Sequence, residues 1–231
     1  MKEITLIIPA KKEPNALPIV LDELKQNHPA INILIVMQKN DKETIEAIKN
    51  YDCKVIFQTG RGYGNAIVEG IKHSKTVYTC IFYADGSTDP KYISLMLEKS
   101  QKENLDLVFG SRYEKGATSF DDDFITRIGN FAFTLFGNLL MKLNLSDLLF
   151  TYIFAKTKKL NEMNLSQNDY CLCVEIPFKA KTLKFNYSTI PCIERKRVAD
   201  KKKVKAFSDG FKILVYMVKK YLQTINRQKC F

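Results

Sequence analysis

The residues best equipped for chemistry in this chain are carboxylates and cations set beside turns. Asp85 and Asp89 bracket Gly86-Ser87-Thr88, directly after residues 77–84, which are mostly β-branched or aromatic. Such a run predicts a buried central strand, so both carboxylates fall where a strand ends. In an open α/β sheet, ligands sit in the crevice beyond the carboxyl ends of the strands, and carboxylates there suit a hydrated divalent cation on a phosphorylated substrate. A second reading stands beside the first: Asp-Gly and Asp-Pro are ordinary turn pairs, and Asp89 before Pro90 suits the start of a helix. The segment Gly60-Arg61-Gly62-Tyr63-Gly64 fits either a ligand-facing loop or a tight strand-to-helix turn. It matches neither the dinucleotide fingerprint nor a phosphate-binding loop ending in Lys and Ser or Thr. Cations follow at Arg112, at Arg127, in Glu194-Arg195-Lys196-Arg197 and in Lys201-Lys202-Lys203. Glu175, inside the apolar run Cys173-Val174-Glu175-Ile176, requires a partner, and an ion pair and a substrate contact both supply one.

The elements that position these residues alternate. Residues 4–8, 32–37, 53–57, 77–84 and 105–110 read as strands, with apolar residues at helical spacing between them, as in Leu17, Val20, Leu21 and Leu24. That alternation predicts βαβ units and a mainly parallel sheet with flanking helices. Residues 114–123 form a polar loop suited to cover a crevice. Residues 124–141 predict a helix rich in Phe and Leu, a second helix is expected from about Leu145 through Phe150, Ile153 and Phe154, and residues 185–190 predict a late strand. These two helices are apolar on more than one side, which fits either core packing or a membrane-surface patch. A final amphipathic helix is expected over 211–222.

The 231 residues suffice for one large domain, and 45% hydrophobic with 26% charged residues is the balance of a globular protein. The apolar region 131–154 is interrupted by Asn138, Lys142, Asn144 and Asp147, so no membrane span is expected, nor an N-terminal signal. The six cysteines are scattered without metal or redox spacing and read as reduced thiols of a cytoplasmic protein. Net charge is +11, and positions 179–231 hold fifteen Lys or Arg against Glu194, Asp200 and Asp209, while positions 1–178 are close to electroneutral. A basic tail of this kind suits an anionic membrane surface or a phosphorylated substrate. It lacks the interleaved aromatics of a nucleic-acid stacking platform.

Several stretches together resemble family 2 glycosyltransferases of the GT-A fold, in the polyprenyl-phosphate branch typified by dolichol-phosphate mannose and glucose synthases. They are IPAKKEPNALPIVLDEL, GRGYGNAIVEGI, YADGSTDP, VFGSRYEKG, RIGN at 127–130, Asp147, VEI at 174–176 and ERKRVADKKKV at 194–204, in family order over residues 4–216. The resemblance implies a Rossmann-like, mostly parallel sheet in a catalytic domain of residues 1–206, with a C-terminal amphipathic helix and basic tail over 207–231. It places Pro9, Glu13, Gly62, Asp85 and Gly86 at the donor, Asp85 and Ser87 at a Mg²⁺ or Mn²⁺ ion, and Asp85, Arg112 and Arg127 at the reaction centre. It places Arg195, Arg197 and Lys203 around phosphates. Asp89 becomes a helix-start residue.

Three stretches depart from the family pattern. Tyr83 stands where the first metal-motif Asp is usual; Val36-Met37-Gln38-Lys39-Asn40 replaces Val-Asp-Asp-Gly-Ser; and Ala199 and Asp200 replace two glycines. The expected activity is a metal-dependent, inverting transfer of a sugar from a nucleoside diphosphate sugar to a polyprenyl phosphate. The expected place is the cytoplasmic face of a membrane, by a peripheral protein able to form oligomers. The alternatives are a hydroxyl acceptor with a base from Asp121, Asp122 or Asp123, and a nucleotide-binding member of the fold without catalysis.

Overall fold

The computed structural model describes residues 1–200 and 206–228. The first half alternates as predicted: β1 (Ile4–Ala10), α1 (Ala16–Asn27), β2 (Asn32–Met37), α2 (Lys42–Ala47), β3 (Lys54–Phe57), α3 (Tyr63–His73), β4 (Tyr78–Ile81), α4 (Lys91–Lys102) and β5 (Leu107–Ser111). The second half holds β6 (Thr118–Ser119), α5 (Phe124–Met141), β7 (Ile153–Lys156), α6 (Thr157–Glu162), α7 (Leu172–Thr182), β8 (Tyr187–Pro191), β9 (Ile193–Glu194) and α8 (Ala206–Gln228).

Seven strands form one sheet in the order β3-β2-β1-β4-β7-β5-β8, and β6 pairs with β9 in a separate ribbon. Every pair in the large sheet is parallel except those of β7, which runs antiparallel to both β4 and β5. Strand residues alternate between two cores. Leu6 and Ile8 of β1 pack with Leu17, Leu21 and Leu24 of α1 and Ile93 and Met96 of α4, whereas Ile7 packs on the other face with Ile67 and Ile71 of α3.

The helix expected from Leu145 is the main correction. Lys142 ends α5 in the left-handed region (φ 52°), no helix or strand follows before Ile153, and Ile153, Phe154 and Ala155 enter the sheet as the buried antiparallel strand β7. A short, wholly apolar run has no period to tell a buried strand from a buried helix. The strand expected over 77–84 is paired only over Tyr78–Ile81, with one further ladder bond from the Phe82 N–H to the Ile7 carbonyl (2.9 Å).

Helix α5 packs Phe133, Phe136, Leu140 and Met141 against the core and leaves its remaining large apolar residues outside. Its buried residues are Asn130, Thr134 and Gly137, while Phe124, Ile125, Ile128, Phe131, Leu135 and Leu139 are exposed, each by at least 53%. The inward polar groups are bonded: the Asn130 side-chain amide donates to the Tyr113 hydroxyl and to Asp122, and the Leu148 N–H donates to the Thr134 hydroxyl. Helix α8 packs beside α5, burying Ile213, Tyr216 and Met217 and exposing Phe207, Phe211, Val215 and Leu222. By length and composition α5 is long and apolar enough to cross a membrane, and it lies along the surface of the protein against α7 and α8.

Candidate active site

The carboxyl ends of β1, β2 and β4 open into a cavity of about 1140 Å³, closed on its far sides by residues 121–130 and the start of α8. Pro9, Glu13, Gly62, Asp85, Ser87, Arg112 and Arg197 all line it.

The Asp85 turn is built by its own side chains. The Asp85 Oδ1 accepts from the Ser87 N–H (3.0 Å) and the Ser87 hydroxyl (2.7 Å), which leaves Oδ2 to pair with the Arg197 guanidinium at 3.1 Å. Gly86 sits at φ 78°, and a β-carbon there would lie 2.8 Å from a Val198 methyl, so this position needs glycine for its conformation and for the close approach of the basic loop. Two backbone bonds, Val198 N–H to Asp85 carbonyl (2.9 Å) and Arg195 N–H to Ser87 carbonyl (2.8 Å), join segments far apart in the sequence. Asp89 accepts from the Lys91 N–H (3.0 Å) at the start of α4 and takes no part in the cavity wall.

Tyr83 cannot replace the missing carboxylate. Its hydroxyl lies 3.0 Å from the Thr151 hydroxyl and accepts from the Thr151 N–H (2.9 Å), and burial pushes its ionisation far above the usual range, so it remains a neutral phenol. Among the described residues, no group of three or more His, Cys, Asp or Glu side chains is arranged to hold a metal ion. Within the 83–87 turn, one carboxylate oxygen, Asp85 Oδ2, faces the cavity beyond the turn's own hydrogen bonds. That fits a Mg²⁺ or Mn²⁺ ion whose other ligands are diphosphate oxygens and water, and does not fit an ion held by protein alone.

Arg112 is the most heavily engaged cation. It is 7% exposed and forks onto Asp147 (Nε–Oδ2 2.7 Å, Nη2–Oδ1 3.0 Å), while Nη1 reaches Asp122 (3.2 Å) and Glu194 (3.3 Å). Burial opposes charge on the guanidinium, but Asp147 beside it outweighs that and holds it protonated. Burial also raises the Glu194 carboxyl above its usual range, against the pull of Arg112. This cluster ties the 114–123 segment to the sheet: the Ser119 hydroxyl donates to Glu194, the Tyr113 hydroxyl donates to Asp122 (2.6 Å), and β6 pairs with β9. The loop expected as a mobile cover is therefore a fastened wall.

The other expected cations separate. Arg197 faces the cavity and also lies 3.6 Å from Asp121. Arg195 turns away to form a fork on Glu23 of α1 (2.6 and 2.8 Å) and to donate to the Thr88 carbonyl. Arg127 is exposed, takes no part in the cavity wall and donates to the Ser119 carbonyl (3.3 Å). Lys203 lies outside the described residues. Glu175 resolves to a structural role: it accepts from the N–H groups of Ser166 and Gln167 and pairs with Lys179 at 3.0 Å.

At Asp200 the backbone keeps a glycine-like path, with φ 64°. Its carboxylate accepts from the Ala16 N–H (3.0 Å) and the Asn15 amide (3.0 Å), capping α1. Burial works against this charge, but those hydrogen bonds win and hold the Asp200 carboxyl below its usual range. The glycine-rich segment is a packing turn as well as a cavity wall. Gly62 sits at φ 103°, and β-carbons at Gly62 and Gly64 would lie 2.1 and 2.3 Å from the carbonyls of Asn168 and Gln167.

The cavity residues that carried no expectation from the sequence include Asp41, Gln58 and Thr151. Asp41 lies one residue past the departure at 36–40; its Oδ2 accepts from the Lys12 N–H (2.6 Å) and its Oδ1 from the Thr44 hydroxyl (3.0 Å). The available signal was position, because Gln38 and Gln58 are the first residues after the adjacent strands β2 and β3.

The family model for glycosyl transferase family 2 matches residues 5–163. The chain belongs to that family. Uncharacterized glycosyltransferases of Mycobacterium bovis and Mycobacterium tuberculosis are 27% identical to it over 109 residues, which are 47% of this chain and 48% of each of theirs. The matched segment thus spans about half the length of these curated relatives. Among solved structures, glucosyl-3-phosphoglycerate synthase from Mycobacterium tuberculosis, with Mn²⁺, UDP and phosphoglyceric acid bound, superposes with a TM-score of 0.75 at 13% identity, covering 94% of this chain and 78% of that one. Mannosyl-3-phosphoglycerate synthase from Rubrobacter xylanophilus gives 0.73 at 16% identity, covering 97% and 75%. These likenesses establish the GT-A fold expected for this family member.

Proposed function

We propose that this glycosyltransferase moves a sugar from a nucleoside diphosphate sugar to a polyprenyl phosphate, as a peripheral protein at the cytoplasmic face of a membrane. The observation that carries the acceptor is α5, whose inner side lines the cavity through Thr126 and Asn130 while its outer side is a stripe of exposed Phe, Ile and Leu. Isolated exposed apolar residues are ordinary, but α5 packs Phe133, Phe136, Leu140 and Met141 against the core and still exposes six further Phe, Ile and Leu side chains, a contiguous stripe, continued by α8, that forms a surface suited to being covered. Lys212, Lys219 and Lys220 on α8 supply charge suited to anionic headgroups.

A phosphate acceptor is already an anion, so the reaction needs alignment and charge neutralisation more than a base. The acceptor oxygen attacks the anomeric carbon from the face opposite the leaving group, and the nucleoside diphosphate departs with the bonding electrons, inverting the centre. Asp85 would hold the divalent cation, which when bound neutralises charge on the leaving diphosphate. Arg197, beside Asp85 on the same cavity wall, would pair with a phosphate oxygen. The acidic cluster that a hydroxyl acceptor would require is already employed: Asp121 faces Arg197, Asp122 binds Arg112, Tyr113 and Asn130, and Asp123 caps α5 through the Thr126 N–H (2.7 Å).

The test is a nucleotide-sugar panel with Mg²⁺ or Mn²⁺, offering polyprenyl phosphate in anionic vesicles in parallel with 3-phosphoglycerate and a glycan acceptor. Transfer only to the lipid phosphate is expected. Transfer to a soluble acceptor in preference, or to none, overturns the proposal.

A further inference from the structure

Arg197 sits on the oxygen that a divalent cation would take. Its guanidinium pairs with Asp85 Oδ2 at 3.1 Å, while Oδ1 is spent on the Ser87 N–H and hydroxyl. The backbone on both sides of Arg197 is tied to the same turn, by Arg195 N–H to the Ser87 carbonyl (2.8 Å) and Val198 N–H to the Asp85 carbonyl (2.9 Å). Farther out, both ends are tied to α1. Arg195 forks onto Glu23 (2.6 and 2.8 Å), and Asp200 accepts from the Ala16 N–H (3.0 Å) and the Asn15 side-chain amide (3.0 Å). Residues 195–200 therefore form a strap fastened at its ends and along its middle, and the fold itself delivers the Arg197 cation to Asp85. Arg197 is 21% exposed and Asp85 16%, so water and salt screen this pair only in part.

We propose that Arg197 is a resident substitute for the metal, so that the protein alone holds Mg²⁺ or Mn²⁺ poorly and takes the ion only together with a diphosphate. This rests on the reading of the cavity as the donor site. A guanidinium and a divalent cation on one carboxylate oxygen repel each other, so the ion gains Asp85 only as Arg197 gives it up. Without a diphosphate, that exchange swaps one cation for another and leaves the guanidinium with Asp121, 3.6 Å from its Nε. A diphosphate changes both sides of the exchange: some of its oxygens complete the coordination of the ion, and another receives Arg197 in a charge-assisted bond. Ion and diphosphate then bind with positive coupling, and the release of Arg197 adds a part of it that direct metal–phosphate bonds do not supply. Tyr83 makes the device effective. Its buried phenol bonds Thr151 and brings no second carboxylate to the turn, so one guanidinium is enough to neutralise Asp85.

Mn²⁺ titration followed by electron paramagnetic resonance tests this on the full chain, with the metal alone and with UDP, CDP, GDP or ADP added. Without nucleotide the wild type is expected to bind weakly, and Arg197→Gln and Arg197→Met at least about 10-fold tighter, the lower end of what a charge-assisted hydrogen bond contributes. Arg197→Lys keeps the charge and should stay near the wild type. So should Arg61→Gln, which removes an equal charge from the glycine-rich wall of the same cavity. Adding Asp85→Asn to Arg197→Gln should abolish the gain, and nucleotide should tighten Mn²⁺ binding by a smaller factor in Arg197→Gln than in the wild type. Tight binding of Mn²⁺ alone by the wild type, unchanged or weaker binding by folded Arg197→Gln and Arg197→Met, or an equal gain in Arg61→Gln overturns the inference and leaves the donor site standing. Mn²⁺ binding by none of these proteins with any nucleotide overturns the Asp85 site itself, and the inference with it.

Discussion

Replacing Arg112 with Ala offers the sharpest test of how the site is held together. Its side chain is the shared partner of Asp147, Asp122 and Glu194, whose side chains are 0%, 3% and 6% exposed. Removing the cation strands buried carboxylates, a change that costs about 3–5 kcal/mol when one partner of a buried pair is deleted. For a chain of this size each kcal/mol lowers the melting temperature by about 2–4 °C, so a fall of about 6–20 °C is expected by calorimetry. The pH dependence carries a sign. Burial already holds the Glu194 carboxyl above its usual range, and loss of the Arg112 pull raises it further, so the folded protein binds more protons than the unfolded chain and stability falls as pH rises. The deficit against the wild type should therefore be larger at about pH 8 than at about pH 5. Arg112→Ala combined with Asp147→Asn should recover part of the loss, because it removes one stranded charge. A variant melting within about 2 °C of the wild type, or a deficit that grows on acidification, would refute the account.

Asp85→Asn should lower turnover by at least about 100-fold and abolish Mn²⁺ binding in the presence of nucleotide, read by electron paramagnetic resonance; the wild type should bind the ion weakly until nucleotide is added. Arg197→Ala should raise the donor KM by about 10- to 150-fold, the range for a charge-assisted hydrogen bond, whereas Arg195→Ala should lower the melting temperature and leave the donor KM nearly unchanged. Phe131→Asp with Leu135→Asp should abolish flotation with anionic liposomes while thermal stability stays near the wild type, since both side chains are exposed; retained flotation would count against the α5 surface.

The fold was legible in its parallel half because alternating strand and helix periods are local, and residues 4–110 state them plainly. β7 was not legible, since Ile153-Phe154-Ala155 is apolar on both sides for the reason that it sits at the centre of the sheet. At the site, Asp85 and Ser87 could be placed from the turn they form. Three features depended on pairing between segments distant in the sequence: the turning of Arg195 to Glu23, the engagement of Arg112 by three carboxylates, and the amide pairing of Gln38 with Gln58 on a shared wall. No periodicity reports such contacts. Asp200 shows the reverse case, where a departure in residue type left the backbone path unchanged because Asp tolerates the left-handed region and its carboxylate caps α1.

The antiparallel β7 sets the order in which the sheet can be completed. β4 and β5 do not pair with each other; each pairs with β7, which begins only at Ile153, long after β4 ends at Ile81. During synthesis at roughly 5–20 residues per second, the inner edge of β4 remains unpaired for roughly 4–14 s after β4 emerges. As it lengthens toward β7 the nascent chain carries the open edge of β4, both open edges of β5 and the apolar α5, a combination that invites pairing with other chains. Insertion of β7 is then the long-range closure expected to limit the folding rate, and substitutions at Ile153 or Phe154 should slow refolding more than equal-sized losses in α1.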